Sequence, residues 1–258
     1  MILSSGVQER RVDLQVTSVA ERPDLASRLD GLLGTWPRFL HHHPLSTLFY
    51  ASVAPRHPGF CLVAVDRSAP DEPIAKAYSF PVSWPPGTLP PDGHDAAIMT
   101  AAGDLLTGRI GHLVVGVEVT VAAEWQGRGV SRVMVDAMRA NAARHGFDAL
   151  LIPVRPTHKH EEPEVPLAAY AARTRPDGLP QDPWLRTHAR AGGEIVGIAP
   201  TSLTLAAPLA DWRDWTGLPF DTPGPVLVPE ALVPVHCDLA RGSAVYVEPN
   251  VWVRHLLR

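Results

Sequence analysis

His112-Leu113-Val114-Val115-Gly116-Val117-Glu118-Val119-Thr120-Val121 runs directly into Ala122-Ala123-Glu124-Trp125-Gln126-Gly127-Arg128-Gly129-Val130-Ser131. The first ten residues alternate, with Leu113, Val115, Val117, Val119 and Val121 on one side and His112, Val114, Gly116, Glu118 and Thr120 on the other. A period of two with one strongly apolar side predicts a β-strand. After the glycines the period changes: Val130, Val133, Met134, Ala137 and Met138 recur at three and four, as on a helix, with Arg132, Asp136 and Arg139 opposite. Gly146 stands where a helix end takes a left-handed residue. Ala149 to Val154 is then a short, wholly apolar run of the kind a buried strand requires. Strand, glycine turn, helix and strand make a βαβ unit.

The turn carries the chemistry. A helix start leaves amides unpaired and partially positive, so it attracts phosphate. Gly127 and Gly129 remove the side chains that would hold a diphosphate away, and Arg128 and Arg132 add charge. A P-loop would need Lys and then Ser or Thr after its last glycine, where Val130-Ser131-Arg132 stands. A dinucleotide fingerprint would need a third glycine at Arg132, a close-packing point. A third reading, a turn that binds acyl-CoA, rests on a resemblance.

Here the chain resembles the GNAT (N-acetyltransferase) superfamily, whose signature is Arg or Gln, two residues, Gly, any residue, then Gly or Ala. Gln126, Gly127-Arg128, Gly129 and Val130 match it; Ser131 departs from the last position but is small. The resemblance implies that amides of Gln126 to Ser131, with Arg132 adjoining, bind the CoA diphosphate. It implies that the main chain of Val119 and Val121 pairs with the pantetheine. It further implies an α/β (α+β) fold with a mixed, mostly antiparallel sheet whose fourth and fifth strands splay to admit the thioester. Trp36-Pro37-Arg38-Phe39, Val154 to His160, Asp182 to His188 and Tyr246 to Trp252 resemble blocks of one bacterial subgroup, so the likeness covers most of the chain, read as one domain over 1–258 with an extended C-terminal segment.

The bulk numbers agree with a globular enzyme. The 258 residues are 45% hydrophobic and 19% charged, enough for a substantial core. A net charge of −4 offers no basic excess for nucleic acid. Met1 to Arg10 lacks the apolar core of a secretory leader, and no run of 18 apolar residues spans a membrane; a cytoplasmic location is expected. Cys61 and Cys237 have no metal-type spacing.

Elsewhere the pattern predicts a strand over Val12–Val19, a helical stretch from Pro23 with Leu25, Leu29, Leu32 and Leu33, and a short helix through Leu48 and Phe49. Strands follow over Phe60–Asp66 and Ile74–Phe80, a loop over Trp84–Gly93 and a helix over Asp95–Gly108. Asp182-Pro183 and Gly192-Gly193 bracket another helix. Glu194–Ile198 and Ser202–Ala206 read as a pair of strands, Asp211–Trp215 as a helical turn and Ala244–Val253 as a late strand. That strand can pair within its own sheet or with a partner copy, which leaves a homodimer open.

Two catalytic candidates emerge. Many GNAT enzymes carry a Tyr four residues before the glycine ending the fourth helix, where it protonates the departing thiolate. The same count back from Gly192 gives His188, a residue type suited to acid–base work near neutral pH. Thr157 lies just past the fifth strand, facing the splay. Thr and His so placed resemble the GNAT-like loading domains of polyketide synthases, which decarboxylate malonyl-CoA, some with transfer to a carrier protein. Trp36 reads as a wall aromatic and Tyr170 as a fallback acid.

No metal is expected. The consecutive His41-His42-His43 diverge on any regular backbone, and His158, His160, Glu161 and Glu162 match no zinc spacing. A hydrolase triad has no support either. The leading expectation is an acyltransferase that uses acetyl-CoA or another acyl-CoA and a small-molecule acceptor or acyl carrier protein. Malonyl- or methylmalonyl-CoA decarboxylation and a non-catalytic acyl-CoA-binding module are the alternatives.

Overall fold

The computed structural model describes residues 13–32 and 36–257; Met1 to Arg10, Val12 of the expected first strand and Leu33 of the helical stretch lie outside them. The strands are β1 (Leu14–Ser18), β2 (Cys61–Asp66), β3 (Ala69–Val82), β4 (Leu113–Val121), β5 (Ala149–Val154), β6 (Gly193–Pro208), β7 (Gly224–Val226), β8 (Val235–Asp238) and β9 (Ser243–Leu256). The helices are α1 (Pro44–Leu48), α2 (Gly93–Thr107), α3 (Val130–Arg144), α4 (Leu167–Ala171), α5 (Pro183–Arg190) and α6 (Leu209–Thr216). The stretch from Pro23 winds as a 3₁₀ helix rather than an α-helix, with Leu25, Leu29 and Leu32 buried.

The strands form one sheet in the order β1-β2-β3-β4-β5-β9-β8-β7, with β6 also on β9. Every pairing is antiparallel except β4 with β5. The late strand β9 is therefore internal, held by β5 and β6. The two strands expected between Glu194 and Ala206 are one strand, β6, whose register on β9 shifts between Ala199 and Leu203. The short β7 and β8 carry no periodic pattern, and nothing in the sequence announces them.

Apolar side chains make three cores. α3 lays Val130, Met134, Met138 and Ala142 against Val114, Leu150, Ile152 and Val253; Val133 points outward instead. On the opposite sheet face α2 packs Ala97, Ile98 and Ala101 with Val63, Phe80, Val115 and Val117. The third core gathers Phe39, Leu205, Trp212, Phe220, Val235 and Tyr246 around the C-terminal half of the chain.

One expectation for β4 fails for a clear reason. Its valines do not share one face, because a β-bulge interrupts the strand: Tyr78 pairs with Glu118 and the next residue, Ser79, with Gly116, so Val117 has no opposite number. An extra residue reverses the alternation beyond it. Val115 and Val117 thus face the α2 core, whereas Val119 and Val121 pack with the α3 core. Among the described residues no helix is long and apolar enough to cross a membrane.

Candidate active site

β4 and β5 are paired at only two positions, Val114 with Leu150 and Val115 with Leu151. Beyond them the strands part around a cavity of about 450 Å³, a volume suited to a small ligand or cofactor arm. Gly116 sits where they part. A Cβ there would lie 2.5 Å from Met138 Cε and 3.1 Å from Ile152 Cγ1, so only glycine lets the α3 side close in. From Gly116 to Val121 the edge of β4 toward β5 lines the cavity with no strand beside it, and its polar groups need a partner.

The glycine turn forms one mouth of this cavity. Gly127 and Gly129 have φ of 72° and 79°, a left-handed conformation that side chains disfavour. No atom lies within 4 Å of a Cβ built at either, so the space above the turn is open. α3 begins without a side-chain cap, and its first bonds run from the Arg132 and Val133 amides to the Gly129 carbonyl. The amides ahead of them are left facing outward, an anion-binding arrangement.

Of the residues expected around the cofactor, Val119, Val121, Gln126 and Ser131 line the cavity. Gln126 Nε2 also donates to the Val121 carbonyl at 3.2 Å, tying turn to strand. Val130 turns its side chain into the core. Arg128 lies over the Trp125 ring, 5.3 Å from its centre, and Arg132 is engaged with Asp136 at 2.7 Å.

At the inner end stands Glu118, which the sequence reading placed on the strand but not in the site. It is 7% exposed. Tyr50 donates a short hydrogen bond to Oε2, Thr120 donates to Oε1 at 2.7 Å, and Lys76 Nζ lies 3.5 Å from Oε1. Burial, reinforced by the adjacent carboxylate, pushes the Tyr50 phenol far upward and keeps it a donor. Glu118 also borders a second cavity of about 280 Å³, which shares Trp36, His94, Val117 and Leu203 with the first. The bulge at Val117 is what turns this carboxylate to the meeting point of the two.

A second polar group lines the larger cavity. Glu248 accepts from Arg155 Nε at 3.0 Å, Tyr246 at 2.6 Å and Asn250 at 3.1 Å. Arg155 also donates to the Glu230 carbonyl, which leaves Glu248 a fully matched buried anion.

His188 is not in the cavity. It is 0% exposed on α5, with Nδ1 3.0 Å from Nε2 of an equally buried His255. Burial, with the neighbouring imidazole, lowers its pKa to about 3; burial likewise lowers that of His255 to about 4. Trp184 faces the cavity, and its ring, centred 4.3 Å from that of His188, covers the imidazole. Thr157 lies exposed on the cavity rim just past β5. Tyr170 points away and donates to Asp182, the N-cap of α5. Trp36 is a wall of both cavities. His158 pairs with Glu161 and Glu162 with Arg173, and of His158, His160, Glu161 and Glu162 only His160 reaches the rim.

A parallel strand pair that parts around a cavity, with a glycine turn and an uncapped helix at its mouth, defines a GNAT-type acyltransferase fold. The loading GNATL domain of CurA from Lyngbya majuscula superposes with a TM-score of 0.59 at 16% identity, over 96% of this chain and 98% of that one. The GphF GNAT-like decarboxylase in complex with isobutyryl-CoA gives 0.54 at 17% identity, over 95% and 99%. No family model matches the chain. The arginine N-acetyltransferase avaD of Aspergillus versicolor is 35% identical, over 92% of each chain. The chain belongs to the N-acetyltransferases of the GNAT superfamily, enzymes whose acyl donor is an acyl-CoA.

Proposed function

We propose that this enzyme transfers an acetyl group from acetyl-CoA to a primary amine of a small cationic acceptor, with arginine the first to try. The similarity to avaD supports the acceptor class. The observation that carries the reading is Glu118, a buried carboxylate where the two cavities meet. Around the second cavity stand two carboxylates, Glu118 beside the Lys76 ammonium and Asp95 beside His43, while Arg155 and Glu248 cancel, so the balance favours a cation.

In this arrangement the amides of Gly127 to Ser131 hold the diphosphate of acetyl-CoA, and Gln126, Arg128 and Arg132 flank it. The free edge of β4 at Val119 and Val121 takes the pantetheine amides. The thioester then reaches the parting of the strands, with Thr157 at its rim. The acceptor enters from the second cavity, and Glu118 holds its cationic group so that the amine, once neutral, attacks the carbonyl directly, an effect of proximity and orientation. Decarboxylation assisted by His188 is not favoured, because that imidazole is closed into the core behind Trp184.

Purified enzyme with acetyl-CoA and arginine should release CoA thiol and yield an N-acetylated product by mass spectrometry, with neutral amines much poorer acceptors. Acetyl-CoA binding by calorimetry with no acetylation of any amine would defeat the proposal. Gly127→Val or Gly129→Val should weaken acetyl-CoA binding roughly tenfold or more, since a β-branched residue at left-handed φ costs about 1–2 kcal/mol and its side chain fills the open approach.

A further inference from the structure

His43, His94 and Asp95 lie beside the second cavity with their ligand-type atoms within 4.8 Å of one another. His94 Nδ1 is 3.3 Å from Asp95 Oδ1, and His43 Nε2 approaches the same oxygen at 3.3 Å, though off the line of a directed hydrogen bond. The hydrogen positions follow from obligatory donors. The Ser46 amide, which can only donate, points at His43 Nδ1 from 3.3 Å, because His43 caps α1. The ring hydrogen of His43 is thereby assigned to Nε2, facing Asp95, which suits a carboxylate between two N–H groups better than a metal cradle. Burial acts to raise the Asp95 carboxyl, but the two imidazoles outweigh it and hold it below the ordinary value, as an anion.

An anionic Asp95 requires hydrogen on His94 Nδ1. In the neutral ring that leaves His94 Nε2 with its lone pair, and the hydrogen bonds of His94 among the described residues run through its amide and Nδ1 alone. His94 lines both cavities, as Glu118 does. Its placement is over-determined. Asp95 Oδ2 accepts from the Thr204 amide at 2.9 Å, the His94 amide donates to Ser202 Oγ at 2.9 Å, and Ser202 donates to Asn250 at 2.6 Å. The close approach needs Gly93, where a Cβ would stand 2.4 Å from Ser202 Oγ. A carboxylate that fixes one ring nitrogen and directs the other into a site is the arrangement of a general base.

We propose that His94 is the catalytic base for the acceptor amine and that Asp95 and His43 are its positioning residues; this rests on the amine-acetylation reading. The acceptor ammonium gives one proton to His94 Nε2. The neutral nitrogen forms the C–N bond, the C–S bond breaks, and a second nitrogen proton passes to the departing thiolate. The imidazolium then returns its proton to water in the second cavity.

Glu118 is less suited to that transfer, since both its oxygens already accept hydroxyl protons.

Two measurements test this. Nitrogen-15 NMR of histidine-labelled enzyme without acceptor should show His94, assigned by its loss in His94→Gln, as the Nδ1–H tautomer, and Asp95→Asn should abolish that preference. His94→Ala and His94→Gln should lower kcat about 100-fold or more with acetyl-CoA affinity unchanged, and added imidazole should restore part of the His94→Ala rate. An Nε2–H tautomer in the resting enzyme, or an unchanged kcat in both variants, would overturn the proposal. A wild-type enzyme that acetylates no amine defeats the reading of the function instead, while the tautomer measurement, made without acceptor, stands or falls apart from it.

Discussion

Two pairs of histidines sit on opposite sides of the same sheet and have opposite chemistry. His188 and His255 face each other with no carboxylate between them, and burial keeps both neutral far below ordinary imidazole values. His43 and His94 share one, Asp95, and one of their nitrogens is left open to a cavity. A histidine is therefore not a site by identity. The group beside it and the space in front of its free nitrogen decide whether it moves protons or fills a core.

The comparison breaks most sharply through exchange of roles. His94→Ala should cost about 10²–10⁴ in kcat, the range for loss of a positioned base, whereas His188→Ala should leave the kcat of the folded enzyme unchanged. The reverse pattern in steady-state kinetics would place the chemistry in the core pair.

Next in size is stability. His188→Ala empties a fully buried site and strands His255, so unfolding by urea should show a loss of about 2–4 kcal/mol. His94→Ala, half-buried at the cavity wall, should lose clearly less.

The third effect is in acid. The folded pKa values of about 3 and about 4 for His188 and His255 lie below the unfolded value of 6.5. Between these limits the unfolded chain binds more protons, so the contribution is complete above pH 6.5 and is lost as pH falls toward 4. Each histidine should subtract up to about 1.4 kcal/mol per pH unit in that window. Urea midpoints from pH 7 to 4.5 should flatten in a His188→Leu, His255→Phe variant. Asp95, a lowered carboxyl, acts with the same sign but only as pH drops through the carboxylate range, below the histidine window.

Smallest is a control next to the core pair. Arg254, adjacent to His255 on β9, makes an exposed ion pair with Glu194 at 3.0 Å, and Arg254→Ala should change stability by about 0.5 kcal/mol or less.

The strand–turn–helix–strand unit was legible because its periods are clean and its glycines stand where φ must be positive. The bulge was not, since Val115 and Val119, two residues to either side of Val117, suit an apolar core on either face of the sheet. The count that selected His188 fixes distance along a helix but not its facing side, and the side chain turns into the core rather than the cavity. Its neighbours held the answer: Leu185, His188 and Ala191, three apart, all turn inward. Glu118 gave a visible signal, a lone charge in an apolar strand. His94 gave none, because its orientation comes from Ser202 and Thr204, more than a hundred residues away.

The supernumerary residue at Val117 has a kinetic consequence. It gives one ribbon two working sides, a free backbone edge toward the larger cleft and a carboxylate toward the smaller, and neither cleft is enclosed. If, as proposed, acetyl-CoA takes the larger cleft and the amine the smaller, donor and acceptor would meet at this point from different sides, and product inhibition should show that either can bind first.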